Sequence, residues 1–144
     1  MTDKLVERSF GVIPLQVLDG CYHVLMVQHQ KGHWGFPKGH QEKEEKPRET
    51  ARRELLEETG LKVRSWLSPH QFKESYQFER EGKTVYKEVL YFPALVYGQL
   101  NLQQEELKEA AWLKPSDLSS KATFIEMKNL TMQVILFLLK NGTK

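Results

Sequence analysis

The hydrophobic pattern of this chain reads mostly as strands, interrupted by two helical stretches. Residues 9–18, SFGVIPLQVL, are apolar and β-branched, and they end at Asp19-Gly20, a two-residue hairpin signal. Residues 22–28, YHVLMVQ, supply the return strand, so the first expected element is a β-hairpin. Pro14 has no N–H for a ladder and is expected at an edge or bulge. Residues 29–40, HQKGHWGFPKGH, are broken by glycines and a proline and read as a loop. Strands follow at 61–67 and 72–79, the second alternating Phe72, Glu74, Tyr76 and Phe78 against Lys73, Ser75 and Gln77. Glu81-Gly82 turns the chain into residues 84–97, the longest β-rich stretch, expected as a central strand that Pro93 bulges or ends. Beyond it lie a polar loop at 98–108, a short strand at 110–113 and a helical turn at 115–117.

Two segments change to helical spacing. Pro47 stands where a helix tolerates a missing N–H and Gly60 where a left-handed cap ends one, which predicts a helix over 47–59. Thr123 with Glu126 three residues on has the spacing of a capping box, opening a helix to about Lys140 that stops before Gly142. Its Leu130, Val134, Phe137 and Leu138 share one face and are expected in the core. Strands interleaved with two helices predict a mixed sheet clasped between helices.

At 144 residues the chain has the size of one domain, residues 1–144. A net charge of +2 suits a phosphate-rich ligand but lacks the basic excess that duplex nucleic acid requires. The single cysteine, Cys21, excludes an internal disulfide and fits a reducing compartment. The first residues hold no apolar core of signal-peptide length, and the longest apolar run, 134–139, is too short to cross a bilayer. A cytoplasmic monomer without membrane partners is the expectation.

The chemistry concentrates in residues 39–61, GHQEKEEKPRETARRELLEETGL. On a helix Glu54, Glu57 and Glu58 fall at i, i+3 and i+4, within an arc of roughly 100°. Three like charges so close repel, and a hard divalent cation such as magnesium relieves them. A solvated acidic face is the plain alternative. The spacing of Gly39, Glu45, Arg53, Glu54, Glu57, Glu58 and Gly60, with aliphatic Leu55 and Leu61, resembles the Nudix box, Gx5Ex7REUxEExGU, at every position.

That resemblance implies the Nudix α/β/α sandwich and a pyrophosphohydrolase dependent on Mg2+, with Mn2+ as the alternative ion. Its substrate would be a nucleoside diphosphate linked to another group. Glu54, Glu57 and Glu58 are implied as metal ligands, Gly39 as backbone close to the ion, and Glu57 as the group that orients or deprotonates water. Arg53, beside Glu57 and Glu54 in the catalytic set, can fork onto Glu45 and pin the preceding loop. A further ligand comes from a later loop in this family, where Glu106 matches best, with Glu105 and Glu109 as neighbours. A solvated loop glutamate is the alternative for Glu106.

Residues 33–40, HWGFPKGH, resemble the HWxxPKGH segment of the asymmetrical dinucleoside tetraphosphate hydrolases within that family. FKESY, KEVLYF, Trp112-Leu113, FIEMK and the opening SFGVIPL are also similar to that group. The implied reaction splits diadenosine tetraphosphate into ATP and AMP. Lys38 and Lys87 can hold polyphosphate oxygens as point charges, and His33 and His40 as donors when protonated. Tyr76 and Phe124 can sandwich a purine. Phe124 reads equally well as core, Tyr76 shares its strand face with Phe72 and Phe78, and Trp34 reads as a packing anchor. Lys73 points to the opposite sheet face from Tyr76. An RNA 5′ pyrophosphohydrolase is the competing enzyme, and a nucleotide-binding sensor without turnover is the competing class.

Overall fold

Two long strands run parallel through the middle of the molecule, whose computed structural model describes residues 5–67 and 69–141. They are β1, Leu5–Leu18, and β7, Lys83–Tyr97, in register from Leu5 opposite Val85 to Leu15 opposite Leu95. Every other pairing is antiparallel. Along β1, the short β4, Lys38–His40, covers the first half and β2, Cys21–His29, the second. Along β7, β6, Phe72–Arg80, and β5, Lys62–Trp66, divide the other side in the same way. β3, Trp34–Gly35, and β8, Leu107–Leu113, both pair with β2.

This pattern explains two prolines that the sequence places at edges or bulges. Pro14 sits inside central β1, between the residues paired with β4 and those paired with β2. Pro93 sits inside β7, after the last β6 pair at Tyr91 and before the β5 pair at Ala94. Neither breaks the parallel register, and β7 runs on to Tyr97. A proline in a sheet needs only a ladder gap on its N–H side, and a change of partner supplies one without an edge or bulge.

Alternate residues of β1 face two different cores. Ile13 and Leu15 pack under α3, Ile125–Lys140, with its buried Met127, Leu130, Val134 and Leu138 and the half-buried Phe137. Phe10 and Val12 pack under α1, Pro47–Thr59, with its Ala51 and Leu55. The mixed sheet therefore lies between helices, an α/β/α sandwich. A 3-10 turn at Pro115–Asp117 leads into the four-residue α2, Leu118–Lys121, whose Leu118 joins the α3 side.

α1 has the expected bounds, and Gly60 closes it with φ 79°, a left-handed conformation that glycine adopts without a Cβ penalty. The expected capping box at Thr123 does not form. Phe124 is the N-cap, which leaves Thr123 outside the helix and Glu126 in its first turn, one position short of the box. α3 ends at Lys140, while Gly142 lies outside the described residues. The expected loop 29–40 contains β3 and β4, strands too short to show a period of two. Among the described residues no helix is long and apolar enough to cross a membrane.

Candidate active site

The acidic site is assembled where β4 hands the chain to α1. Arg53 donates through Nε to Glu45 Oε2 at 2.6 Å and through Nη2 to Glu45 Oε1 at 3.1 Å, so the expected fork is present. The same Nη2 reaches the His40 carbonyl at 3.0 Å, and Nη1 reaches Glu54 and Glu57 at 3.2 Å. One guanidinium thus ties the end of β4, the loop after it and the acidic face of α1 together. Its bonds hold the Glu45 carboxyl down at about 2, helped by the Glu42 N–H.

The three box carboxylates occupy different environments. Glu58 is buried at 3% exposure and accepts the Lys38 N–H at 3.2 Å. Burial first, then the neighbouring Glu54, push its carboxyl up to about 8. Burial also raises Glu54, against the pull of Arg53. Glu57 is half exposed and lies on Arg53. Gly39 packs against Glu54 so closely that a Cβ there would overlap its carboxylate. Glu106 stands exposed one residue ahead of β8, in a loop bonded to the end of α1 through Gln103 N–H to Glu58 O at 2.9 Å. That tether brings the Glu106 charge close enough to raise Glu58 further.

This donor set fits a hard divalent cation. Its side-chain groups are carboxylates, a cation would offset both the burial and the mutual repulsion of Glu54 and Glu58, and the missing Cβ of Gly39 lets the Glu54 carboxylate lie against the β4 backbone. Among the described residues no three acidic, His or Cys side chains close around one point. Glu54 and Glu58 converge, while Glu57 is held by Arg53.

On the α3 side of the sheet, a cavity of about 410 Å³ is lined by His29, His33, Lys38, Glu74, Tyr76 and Phe124 among others. Phe124 is 57% exposed at the start of α3, at the cavity rather than in the core. Tyr76 is half-buried, and its ring lies 6.3 Å from that of Phe78. His33 stacks on His29 at 4.3 Å and tilts toward Phe124 at 6.2 Å. Trp34 packs against the core under the Lys121 ammonium, 4.5 Å from its ring.

Lys87 and His40 lie beside the cavity rather than in its lining. Lys87, opposite Tyr76 in the β6–β7 register, places Nζ 2.8 Å from His40 Nε2. Burial and then Lys38 lower the Lys87 ammonium to about 8. His33 and His40 are both held below the ordinary 6.5, by burial and then by nearby lysines. In the free protein this favours the neutral ring, which donates through one N–H, and a phosphate group beside either imidazole would work against the shift.

The low Lys87 value makes a stability prediction. Between pH about 8 and 10.5 the unfolded chain holds a proton that folded Lys87 has released, so stability rises with pH through that window. Below about 8 the full cost of the buried charge is present. Lys87→Met should therefore melt at a higher temperature than the parent at pH 7, and the gap should narrow by pH 10. An equal gap at both pH values in scanning calorimetry would refute the assignment.

Residues 7–134 match the NUDIX domain family. The chain belongs to the Nudix family. Rat bis(5′-nucleosyl)-tetraphosphatase (asymmetrical) is 33% identical to it over 128 residues, 87% of this chain and 78% of the rat protein. Nudix hydrolase 18, mitochondrial, of Arabidopsis thaliana is 36% identical over 97 residues, 65% of this chain and 52% of that protein. The chain spans about half or less of the length of several curated relatives it matches. Among solved structures, a Caenorhabditis elegans Ap4A hydrolase binary complex superposes with a TM-score of 0.70 at 23% identity, over 93% of this chain and 98% of that one, a likeness of fold.

The Nudix fold brings the sequence-selected residues together in two groups. Gly39, Glu45, Arg53, Glu54, Glu57 and Glu58 meet at the β4–α1 junction. His33, Lys38, Tyr76 and Phe124 meet at the cavity, with His40 and Lys87 alongside. Lys73 is exposed, bound to Glu88 at 3.0 Å, and alternates with Tyr76 along β6. Sequence reasoning missed His29, Glu74 and Ser9. Glu74 carried a signal, a charged residue sharing the strand face of Phe72, Tyr76 and Phe78. Ser9 carried none, yet its Oγ is the one buried side-chain polar atom without a hydrogen-bond partner among the described residues. It faces the α3 side, between His40 and Val89 in the register.

Proposed function

We propose that the protein is a magnesium-dependent Nudix hydrolase of dinucleoside polyphosphates that splits diadenosine tetraphosphate into ATP and AMP. The observation that carries this is the position of Lys38. Its backbone N–H binds Glu58 of the acidic site while the residue lines the aromatic cavity, so a phosphate chain and its base span adjacent sites.

Glu54, Glu57 and Glu58, with the Gly39 backbone and Glu106, would hold the ion. When bound, the ion neutralises phosphate oxygens and polarises the attacking water. Lys38 and Lys87 counter the remaining charge, and His33 and His40 each add a donor. Glu57, half exposed and steered by Arg53, takes the proton of a water that attacks phosphorus in line while the bond to the leaving ATP breaks. Tyr76 and Phe124 hold a purine between them. The exposed, free Cys21 fits a reducing cytoplasm, and one chain holds every group the reaction needs, so a monomer suffices.

The test is incubation with magnesium and diadenosine tetraphosphate in heavy-oxygen water, with products read by mass spectrometry. ATP and AMP with the label in AMP are expected. Two ADP, or no turnover, would sink the proposal, and turnover of triphosphorylated RNA alone would move the protein to the competing RNA-end activity.

A further inference from the structure

Glu74 is a carboxyl with no ordinary reason to be where it is. It lies on β6 two residues before Tyr76, on the same face, is 8% exposed, and lines the cavity. No lysine or arginine pairs with it among the described residues. Among the described residues its one hydrogen bond is to Oε1, from the hydroxyl of the fully buried Tyr91 at 3.3 Å, and Oε2 makes none. Tyr91, on β7 behind it, fixes one oxygen and leaves the other to the cavity.

The groups that face this carboxyl decide its protonation. Lys38, from β4, favours the charge, whereas burial and Glu126, from α3, oppose it. Tyr91 from β7 donates to it, Tyr76 follows it on β6, and His29 and His33, both lowered first by burial, line the same cavity. Two events on substrate binding push the same way. A base covering the cavity removes the remaining water, and a phosphate chain on Lys38 engages the one cation that favours ionisation.

We propose that Glu74 is the base-reading group of the cavity, donating as a neutral acid to a ring nitrogen of adenine and accepting from its N6 amino group. This rests on the dinucleotide reading above and deepens it. Adenine presents an acceptor beside the N6 donor, the complement of a protonated carboxyl. Guanine presents O6 beside two donors, N1–H and N2, on one edge and two acceptors on the other, so an acid paired with O6 and N1–H leaves the N2 amino group without an acceptor in the cavity. An ionised carboxylate, an acceptor only, reverses the preference toward the guanine donor edge.

Calorimetric titration with methylene-bridged diadenosine and diguanosine tetraphosphates, which bind without turnover, tests this between pH 5.5 and 8.5. The parent should prefer the adenine compound about tenfold at the acid end. The preference should shrink as pH rises, with proton uptake visible as buffer-dependent heat. Glu74→Gln offers the same donor and acceptor, so it should keep the preference and lose its pH trend. Glu74→Leu should lose the preference. Binding with an unchanged ratio in Glu74→Leu, or a pH trend surviving in Glu74→Gln, overturns this inference alone. Failure of both analogues to bind the parent overturns the dinucleotide reading and this inference with it.

Discussion

Glu57→Gln should lower kcat by two to four orders of magnitude, roughly what a general base contributes, while leaving the melting temperature near that of the parent. Its side chain is 51% exposed and its protein partner is Arg53, which an amide oxygen can still engage. The substitution removes a proton acceptor and one of the three box charges proposed to hold the ion, and nothing the fold depends on. Glu58→Gln gives a useful contrast. At 3% exposure Glu58 is a buried acid crowded by Glu54, so the amide should raise the melting temperature in the absence of metal and abolish the rise that magnesium produces. Steady-state kinetics with scanning calorimetry, each with and without magnesium, separates the two roles. Near-parental turnover by Glu57→Gln would remove Glu57 from proton transfer, and an undiminished magnesium shift in Glu58→Gln would remove Glu58 from the ion.

Gly39→Ala should cost about a hundredfold in activity with a folded protein remaining. The backbone at Gly39 is held by the β1–β4 register opposite Phe10, so it does not retreat. What must move is the Glu54 carboxylate, the far end of a flexible side chain that the new methyl would overlap. The fold therefore tolerates the change, whereas a ligand displaced by about an ångström costs on the order of a hundredfold in rate. A melting temperature within a few degrees of the parent, with weakened magnesium binding, is the expected pair of results. Unfolding would show that the glycine serves β4 pairing alone, and full activity would show that Glu54 need not lie where it does.

Local physics made much of this protein legible before any coordinate. The α1 helix follows from Pro47 and Gly60, because a missing N–H and a left-handed cap act within one turn and need no partner. Most strands follow from alternation, and the Nudix family follows from the spacing of the box. The Arg53–Glu45 fork was also within reach, since guanidinium and carboxylate geometry match wherever the loop returns to the helix.

Other features depend on what lies across from a residue, which one strand of text does not encode. Pro14 and Pro93 sit inside central strands because neighbouring strands change partners there. β4 exists because β1 offers it three residues of ladder. The box glutamates look alike in sequence, yet burial separates Glu58 from the half-exposed Glu57 by which way α1 faces the sheet. His33 and His40 are held below the ordinary imidazole value because folding buries them first and then sets lysines beside them, Lys87 of β7 reaching His40 from a remote segment. Spacing along the chain determined the elements and the family. Tertiary packing alone decided which carboxylates lose their water, which imidazoles titrate low, and that Glu74 faces a cavity, because desolvation and Coulomb interaction act through space between segments remote in sequence.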